Sequence, residues 1–71
     1  MSKNKLYSLI GVDGNAFSVM AYVSDAMEAE GKSKAEIDEY YRKAKSGDYK
    51  NLLSVSMSMC VELNKLKESR K

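Results

Sequence analysis

Two nine-residue stretches of this chain, residues 11–19 and 47–55, repeat the same order of residue types. When one is shifted by 36 positions, glycine falls on glycine, asparagine on asparagine, serine on serine and valine on valine. Each stretch consists of a glycine turn, a polar residue that can cap a helix and an apolar segment, so each predicts a helix start. A helix start gathers unpaired main-chain N–H groups, and both places could therefore also bind an anion.

Three amphipathic segments predict three helices. The first covers about residues 15–30, has apolar residues at three- and four-residue steps, and stops at a glycine. The second covers about residues 34–45 and begins at Ser33 with the capping-box sequence Ser-Lys-Ala-Glu. The third covers about residues 49–67 and follows Asp48 as its cap.

A short lead-in precedes the first helix, and a basic tail follows the third. Residues 5–12 carry five apolar residues, a run too short to decide between a strand and one amphipathic helical turn. Residues 67–71 contain three basic residues and are predicted to form a solvated tail. The pattern therefore predicts one all-α domain over residues 1–71, with three helices and an extended or helical lead-in.

The length of the chain limits how its apolar residues can be covered. A chain of 71 residues buries only ~60% of the surface that its unfolded form exposes. Apolar residues lie on more than one face of the third helix: Leu52, Leu53, Val55, Met57, Met59, Cys60, Val61, Leu63 and Leu66. We therefore expect a homo-oligomer that associates through helices one and three. The alternative is that the lead-in and helix two cover the surplus within a monomer.

The residues offer little for catalysis or metal binding. Histidine is absent, so neither a Ser–His nor a Cys–His pair exists, and the ordinary zinc sets are excluded. Cys60 lies between apolar neighbours with no base beside it and is expected to be a packed thiol. Residues 13–15 fail as a calcium loop, because the positions for the first carboxylate, the turn glycine and the final glutamate are wrong. We predict that the protein is not an enzyme and uses no cofactor or metal.

The two helix starts are a candidate site for a nucleotide. The candidate ligand-binding residues are Gly14, Asn15, Tyr49, Lys50 and Asn51. They supply flexible backbone, amide groups and a cation for phosphate, and an aromatic ring that can stack on a base. Asp13 and Asp48 oppose this interpretation, because as caps they would satisfy the donors and repel a phosphate. The alternative is that these residues only cap helices.

Charge is distributed unevenly although the net charge is only +2. Six of the ten acidic residues lie within residues 25–39, whereas basic residues gather at both ends of the chain. The acidic middle is a candidate surface for a basic partner, with Glu36, Asp38 and Glu39 as the partner-binding residues. The basic tail supports a third hypothesis, a small nucleic-acid accessory protein, but the basic excess is small for that role.

Three stretches carry a family resemblance: residues 9–17 (LIGVDGNAF), residues 33–38 (SKAEID) and residues 46–53 (SGDYKNLL). Together they resemble a family of small proteins encoded by phages and prophages, for which there is no established activity to transfer. Small phage proteins of this kind often act against host systems. By analogy, the resemblance implies a non-enzymatic binding protein that acts against host defence.

Two modes of action against host defence follow from these candidate sites. The preferred one is an oligomeric sponge for a nucleotide-type signalling molecule, held at a subunit interface. The alternative is a protein–protein inhibitor or adaptor that uses the acidic surface of residues 25–39. The chain has no apolar run near ~18 residues and no signal peptide, so the expected location is the cytoplasm of the bacterial host.

Overall fold

A computed structural model describes residues 6–69 as three helices joined by short connections. The helices are α1 (Ala16–Ala29), α2 (Lys34–Ala44) and α3 (Tyr49–Ser69), and none of the described residues lies in a strand. The predicted all-α, three-helix fold is confirmed. Because α3 continues to Ser69, the tail predicted at residues 67–71 begins inside a helix, and residues 70–71 lie outside the described residues.

Each helix begins at the polar cap that the sequence predicts. The side chain of Asn15 accepts a hydrogen bond from the main-chain N–H two residues on, at 2.8 Å. Ser33 and Glu36 form the capping box, in which each side chain accepts the main-chain N–H of the other residue, at 3.2 and 2.9 Å. Asp48 accepts the N–H three residues on at 3.0 Å. Local side chains thus satisfy donors that would otherwise stay unpaired at three helix starts.

Glycine ends α1 because the chain there enters the left-handed region of backbone space. Gly31 has φ +88° and donates its N–H to the carbonyl of Glu28 at 3.1 Å. The next N–H, that of Lys32, reaches back to the carbonyl of Met27 at 2.9 Å. This pair of bonds is the Schellman arrangement, in which glycine avoids the steric cost of a Cβ atom. The turn sends α2 back across α1.

The three helices pack against one another around one small core. Its largest fully buried apolar side chains are those of Val23 and Met27 from α1, Tyr40 from α2 and Leu63 from α3. Ser56 of α3 is also fully buried, although it is polar. None of the helices within residues 6–69 combines the length and the apolar character needed to cross a membrane.

The lead-in is neither a helix nor a strand over its described residues. Residues 6–8 run without regular structure, and the N–H of Val12 closes a turn on the carbonyl of Leu9 at 3.1 Å. Two hydrogen bonds tie the main chain of Tyr7 to the Asn64 carboxamide of α3, at 2.7 and 3.0 Å. Lys5, the first residue of the predicted lead-in, lies outside the described range. The lead-in therefore covers part of α3 without forming an element of its own.

Candidate functional site

The structure brings the starts of α1 and α3 together at one end of the molecule. The hydroxyl of Tyr49 donates a hydrogen bond to the main-chain carbonyl of Gly14. Asn15 is the next residue after Gly14, and Lys50 is the next residue after Tyr49. The side chain of Lys50 is exposed and forms no ion pair within the described residues. Candidate ligand residues from two distant stretches of sequence therefore share one surface.

Two of these five candidate residues, Asn15 and Asn51, already stabilise helix ends. The Asn51 carboxamide donates to the carbonyls of Lys43 and Ala44 at the end of α2, at 2.9 and 3.4 Å. A Cβ atom placed on Gly47 would lie 2.9 Å from the Cβ of Asn51, so glycine permits this close return of the chain. Asn15 uses its side chain as the α1 cap. The ring of Tyr49 and the ammonium of Lys50 are the groups at this end that remain for a ligand.

Two of the proposed acidic residues are paired with bases on their own helix. Asp38 lies 3.7 Å from the Nζ of Lys34, and Glu39 forms an ion pair with Arg42. All four side chains are substantially exposed to solvent. Exposed pairs of this kind contribute little stability, but they lower the net negative charge of the surface.

The third acidic residue, Glu36, is committed to the capping box and to Lys32. The N–H and hydroxyl of Ser33 and the nearby Lys32 ammonium stabilise the carboxylate and lower the pKa of Glu36. The Nζ of Lys32 lies 3.7 Å from Glu36 and also bonds to Glu62 of α3. The Glu62 hydrogen bond is the main cause of a raised pKa at Lys32, although desolvation opposes it. Lys32 thus joins the start of α2 to the middle of α3.

A groove, here called the α2–α3 groove, runs between these two helices and has a volume of about 530 Å³. Its accessible apolar lining comes chiefly from the half-buried Val55 and Met59 of α3, with the buried Met27 and Tyr40 at its base. Its charged lining residues are Lys32, Glu36, Glu39, Lys43 and Glu62, accompanied by the hydroxyls of Ser54 and Ser58. An apolar lining with polar groups beside it is the usual character of a binding groove.

A buried hydrogen bond sets the position of one groove wall. The hydroxyls of Tyr40 and Ser56 lie 2.6 Å apart, and both residues are fully buried. Burial raises the pKa of Tyr40, with partial opposition from the hydrogen bond to Ser56. The bond fixes α2 against α3, while the Tyr40 ring lines the groove. Sequence reasoning missed Ser56, because a serine in an apolar helix does not by itself indicate burial.

A second, more apolar groove lies on the other side of α3, with a volume of about 460 Å³. It is lined by the lead-in, including Ile10, and by Leu53, Met57, Cys60 and Val61 of α3. We call the surface formed by Ile10, Met57 and Val61 the outer α3 face. Cys60 is buried beneath it, and burial raises the pKa of the thiol. The prediction that Cys60 is a packed thiol is confirmed.

Comparison with known proteins identifies no relative of this chain. No protein-family model, curated protein or solved structure matches the chain. Residues 6–69 contain no group of three or more histidine, cysteine, aspartate or glutamate side chains that could hold a metal ion.

Proposed function

We propose that this protein is a non-enzymatic binding protein that takes an apolar segment of a partner protein into the α2–α3 groove. The observation that carries this proposal is the apolar groove lining between charged residues of both helices. Lys32 links the two sides of the groove to each other, and the Tyr40–Ser56 bond fixes their spacing. A preformed groove of this kind binds an amphipathic helix without a large ordering cost.

The charges around the groove favour a partner segment with basic residues. Three carboxylates, those of Glu36, Glu39 and Glu62, face two ammonium groups, those of Lys32 and Lys43. Lys32 is already engaged with two of these carboxylates. Among these five side chains one negative charge is in excess, and Arg42 beside the groove partly offsets it at Glu39. The charges therefore select orientation and partner more than they add affinity. This proposal retains the acidic-surface hypothesis for Glu36 and Glu39, which line the groove, and leaves Asp38 outside it.

The resemblance to small phage-encoded proteins favours a host defence protein as the partner. Binding that occupies an apolar and basic segment of such a protein would inhibit it or connect it to another component. The bacterial cytoplasm is the compartment in which this encounter would occur. This mode of action requires no catalytic residue, because occupying the partner's segment is itself the effect.

A pair of synthetic peptides tests the groove directly. Both are amphipathic helical peptides of roughly 15 residues with the same apolar face, one carrying lysines and the other glutamates on the polar face. Fluorescence anisotropy should show tighter binding of the basic peptide, with an affinity that falls as salt rises. Ser58→Arg extends a long side chain at the groove and should weaken binding on the order of tenfold. Ala21→Arg adds the same side chain to an exposed position of α1 and should not.

A second pair of variants tests the charges on adjacent residues of α2. Glu39→Lys reverses a charge at the groove, whereas Asp38→Lys reverses one outside it. We expect Glu39→Lys to weaken binding of the basic peptide and Asp38→Lys to leave it nearly unchanged. Equal effects of the two reversals, or no binding of either peptide to the wild-type protein, would contradict the proposal.

A sponge for a nucleotide-type signal is a second candidate function. The Tyr49–Gly14 bond favours it, because this bond sets an aromatic ring and the Lys50 ammonium beside the first turns of two helices. The carboxylate of Asp48 at the same end disfavours it, since it accepts an N–H that a phosphate would need.

Thermal-shift measurements against cyclic and adenosine-derived nucleotides separate the two functions. A sponge should be stabilised by at least one nucleotide, and the shift should be lost in Tyr49→Ala and Lys50→Ala. Lys65→Ala is the matched control, because it removes an exposed lysine elsewhere on α3. Absence of any shift across the panel would leave the groove as the functional surface.

A further inference from the structure

We infer that the outer α3 face binds a second copy of this chain, with the two α3 helices antiparallel. This inference does not rest on the proposed function, because the outer α3 face and the α2–α3 groove share no lining residue. It rests on the exposure of the face, on its area and on the placement of charge along α3.

The outer α3 face exposes large apolar side chains next to one another. Ile10 is 92% exposed, Met57 58% and Val61 55%, and all three line one groove. The lead-in, which could have covered the surplus apolar residues of α3, covers Cys60 but leaves Met57 and Val61 open and exposes its own Ile10. Apolar patches of roughly 300–600 Å² are often functional, so this patch is a candidate interaction site.

The area of the face is more than half of what a homodimer needs. At roughly 150 Å² for one fully exposed aliphatic side chain, which is smaller than an aromatic one, these three expose on the order of 300 Å² of apolar surface. A standard interface buries about 800 Å² per partner, and in homodimers about 65% of it, roughly 500 Å², is apolar. The half-buried Leu53 beside them adds to the total.

Charge along α3 selects a second copy as the occupant. At 100° per residue, Lys50, Met57, Val61 and Glu68 fall within an arc of about 40° on the helix surface. Lys50 and Glu68 are 18 positions apart, which is five full turns and about 27 Å along the axis. Neither forms an ion pair within the described residues. The apolar pair is thus flanked by a base at one end and an acid at the other.

The base, the two apolar residues and the acid along α3 are complementary to the same residues of a second α3 helix that runs in the opposite direction. Met57 and Val61 lie two residues on either side of position 59, and Lys50 and Glu68 lie nine residues on either side. A twofold axis at that level places Met57 against the partner's Val61 and Lys50 against the partner's Glu68. Each contact occurs twice, as in any isologous interface. A parallel pair would instead bring like charges together.

The antiparallel dimer leaves both α2–α3 grooves open. Val55 and Met59 line that groove, and they lie on the side of α3 away from Met57 and Val61. The dimer would therefore present two grooves, and avidity would increase its binding to any partner that carries two segments.

Sedimentation velocity of the full chain between about 5 and 200 µM tests the inference, because a dimer dissociates on dilution. We expect the wild-type chain to sediment as a dimer at the upper concentrations. Met57→Glu should raise the dimer Kd by on the order of tenfold or more, because it places a carboxylate in the apolar contact. Lys43→Glu, at the α2–α3 groove, should leave the Kd unchanged. Circular dichroism checks that every variant keeps its helical content.

Two charge reversals test the antiparallel register. Lys50→Glu and Glu68→Lys should each weaken their own homodimer by roughly threefold to tenfold, because each variant meets like charges at both ends. An equimolar mixture of the two should form a heterodimer at wild-type affinity, because opposite charges meet again.

Two results would overturn this inference. A chain that stays monomeric at the highest concentration, or a dimer that Met57→Glu leaves intact, would assign the outer α3 face to another partner. A dimer that is lost in Met57→Glu but is insensitive to both charge reversals would overturn the antiparallel arrangement.

Discussion

Replacement of Tyr40 by phenylalanine tests the hydrogen bond that links α2 to α3. The Tyr40 hydroxyl lies 2.6 Å from that of Ser56, and both residues are fully buried. Tyr40→Phe keeps the ring but leaves the Ser56 hydroxyl buried without this partner, which costs about 1–3 kcal/mol. In a domain of this size, each 1 kcal/mol lowers the Tm by about 4–8 °C.

The double variant Tyr40→Phe/Ser56→Ala gives the sharper test. Ser56→Ala alone leaves the phenol unpaired, whereas the double variant removes both polar groups and leaves none stranded. The double variant should therefore lose less free energy of unfolding than the sum of the two single losses. We expect this difference, the coupling energy, to be about 0.5–3 kcal/mol. Urea unfolding of all four proteins, followed by circular dichroism, measures this coupling if the m-values agree.

Additive single costs would contradict a coupling between the two hydroxyls. Costs that sum to within about 0.5 kcal/mol of the double variant would mean that the hydroxyls do not depend on each other. Tyr40→Phe should also leave the affinity for the basic peptide within about twofold of wild type, because the ring that lines the groove remains. A large loss of affinity with the fold intact would instead assign the hydroxyl to the partner.

Three further measurements follow from the structure. Asp48→Ala should destabilise the fold by about 1 kcal/mol, because it removes the α3 cap, and an unchanged Tm would show that the cap is dispensable. Cys60 should react with iodoacetamide on the order of a hundredfold more slowly in the native protein than in urea, because it is buried; equal rates would contradict this. The stability that protonated Cys60, Tyr40 and Lys32 contribute should be fully present below about pH 9 and be lost as the pH rises further, because their pKa values are raised from the ordinary values of 9.0, 10.0 and 10.5. Chemical denaturation across this range measures the effect, and constant stability to pH 11 would refute it.

Helix positions could be predicted from the sequence because the signals that set them are local. The caps Asn15, Ser33 and Asp48 act on N–H groups two or three residues away, and Gly31 acts on its own backbone. Apolar spacing likewise depends on the few residues of one or two turns. The lead-in remained open, because its conformation depends on Asn64, which is 57 positions from Tyr7.

The candidate sites depended on contacts that the sequence does not specify. Tyr49 reaches Gly14 across 35 positions, and Lys32 reaches Glu62 across 30. The sequence marked Tyr49 as a ligand-binding residue, but its hydroxyl bond to Gly14 appears only in the packed chain. These groups meet because of how the helices cross, which depends on side-chain packing over the whole core.

The surplus of apolar residues on α3 can be recognised from length and composition alone, because both limit what a small domain can bury. Their distribution between two surfaces depends on how the helices pack. Because α3 packs against α2, Val55 and Met59 line the α2–α3 groove. Met57 and Val61 lie on the outer α3 face beside the lead-in. Packing also buried Ser56, because the Tyr40 hydroxyl lies opposite it and supplies the hydrogen bond that a buried serine requires.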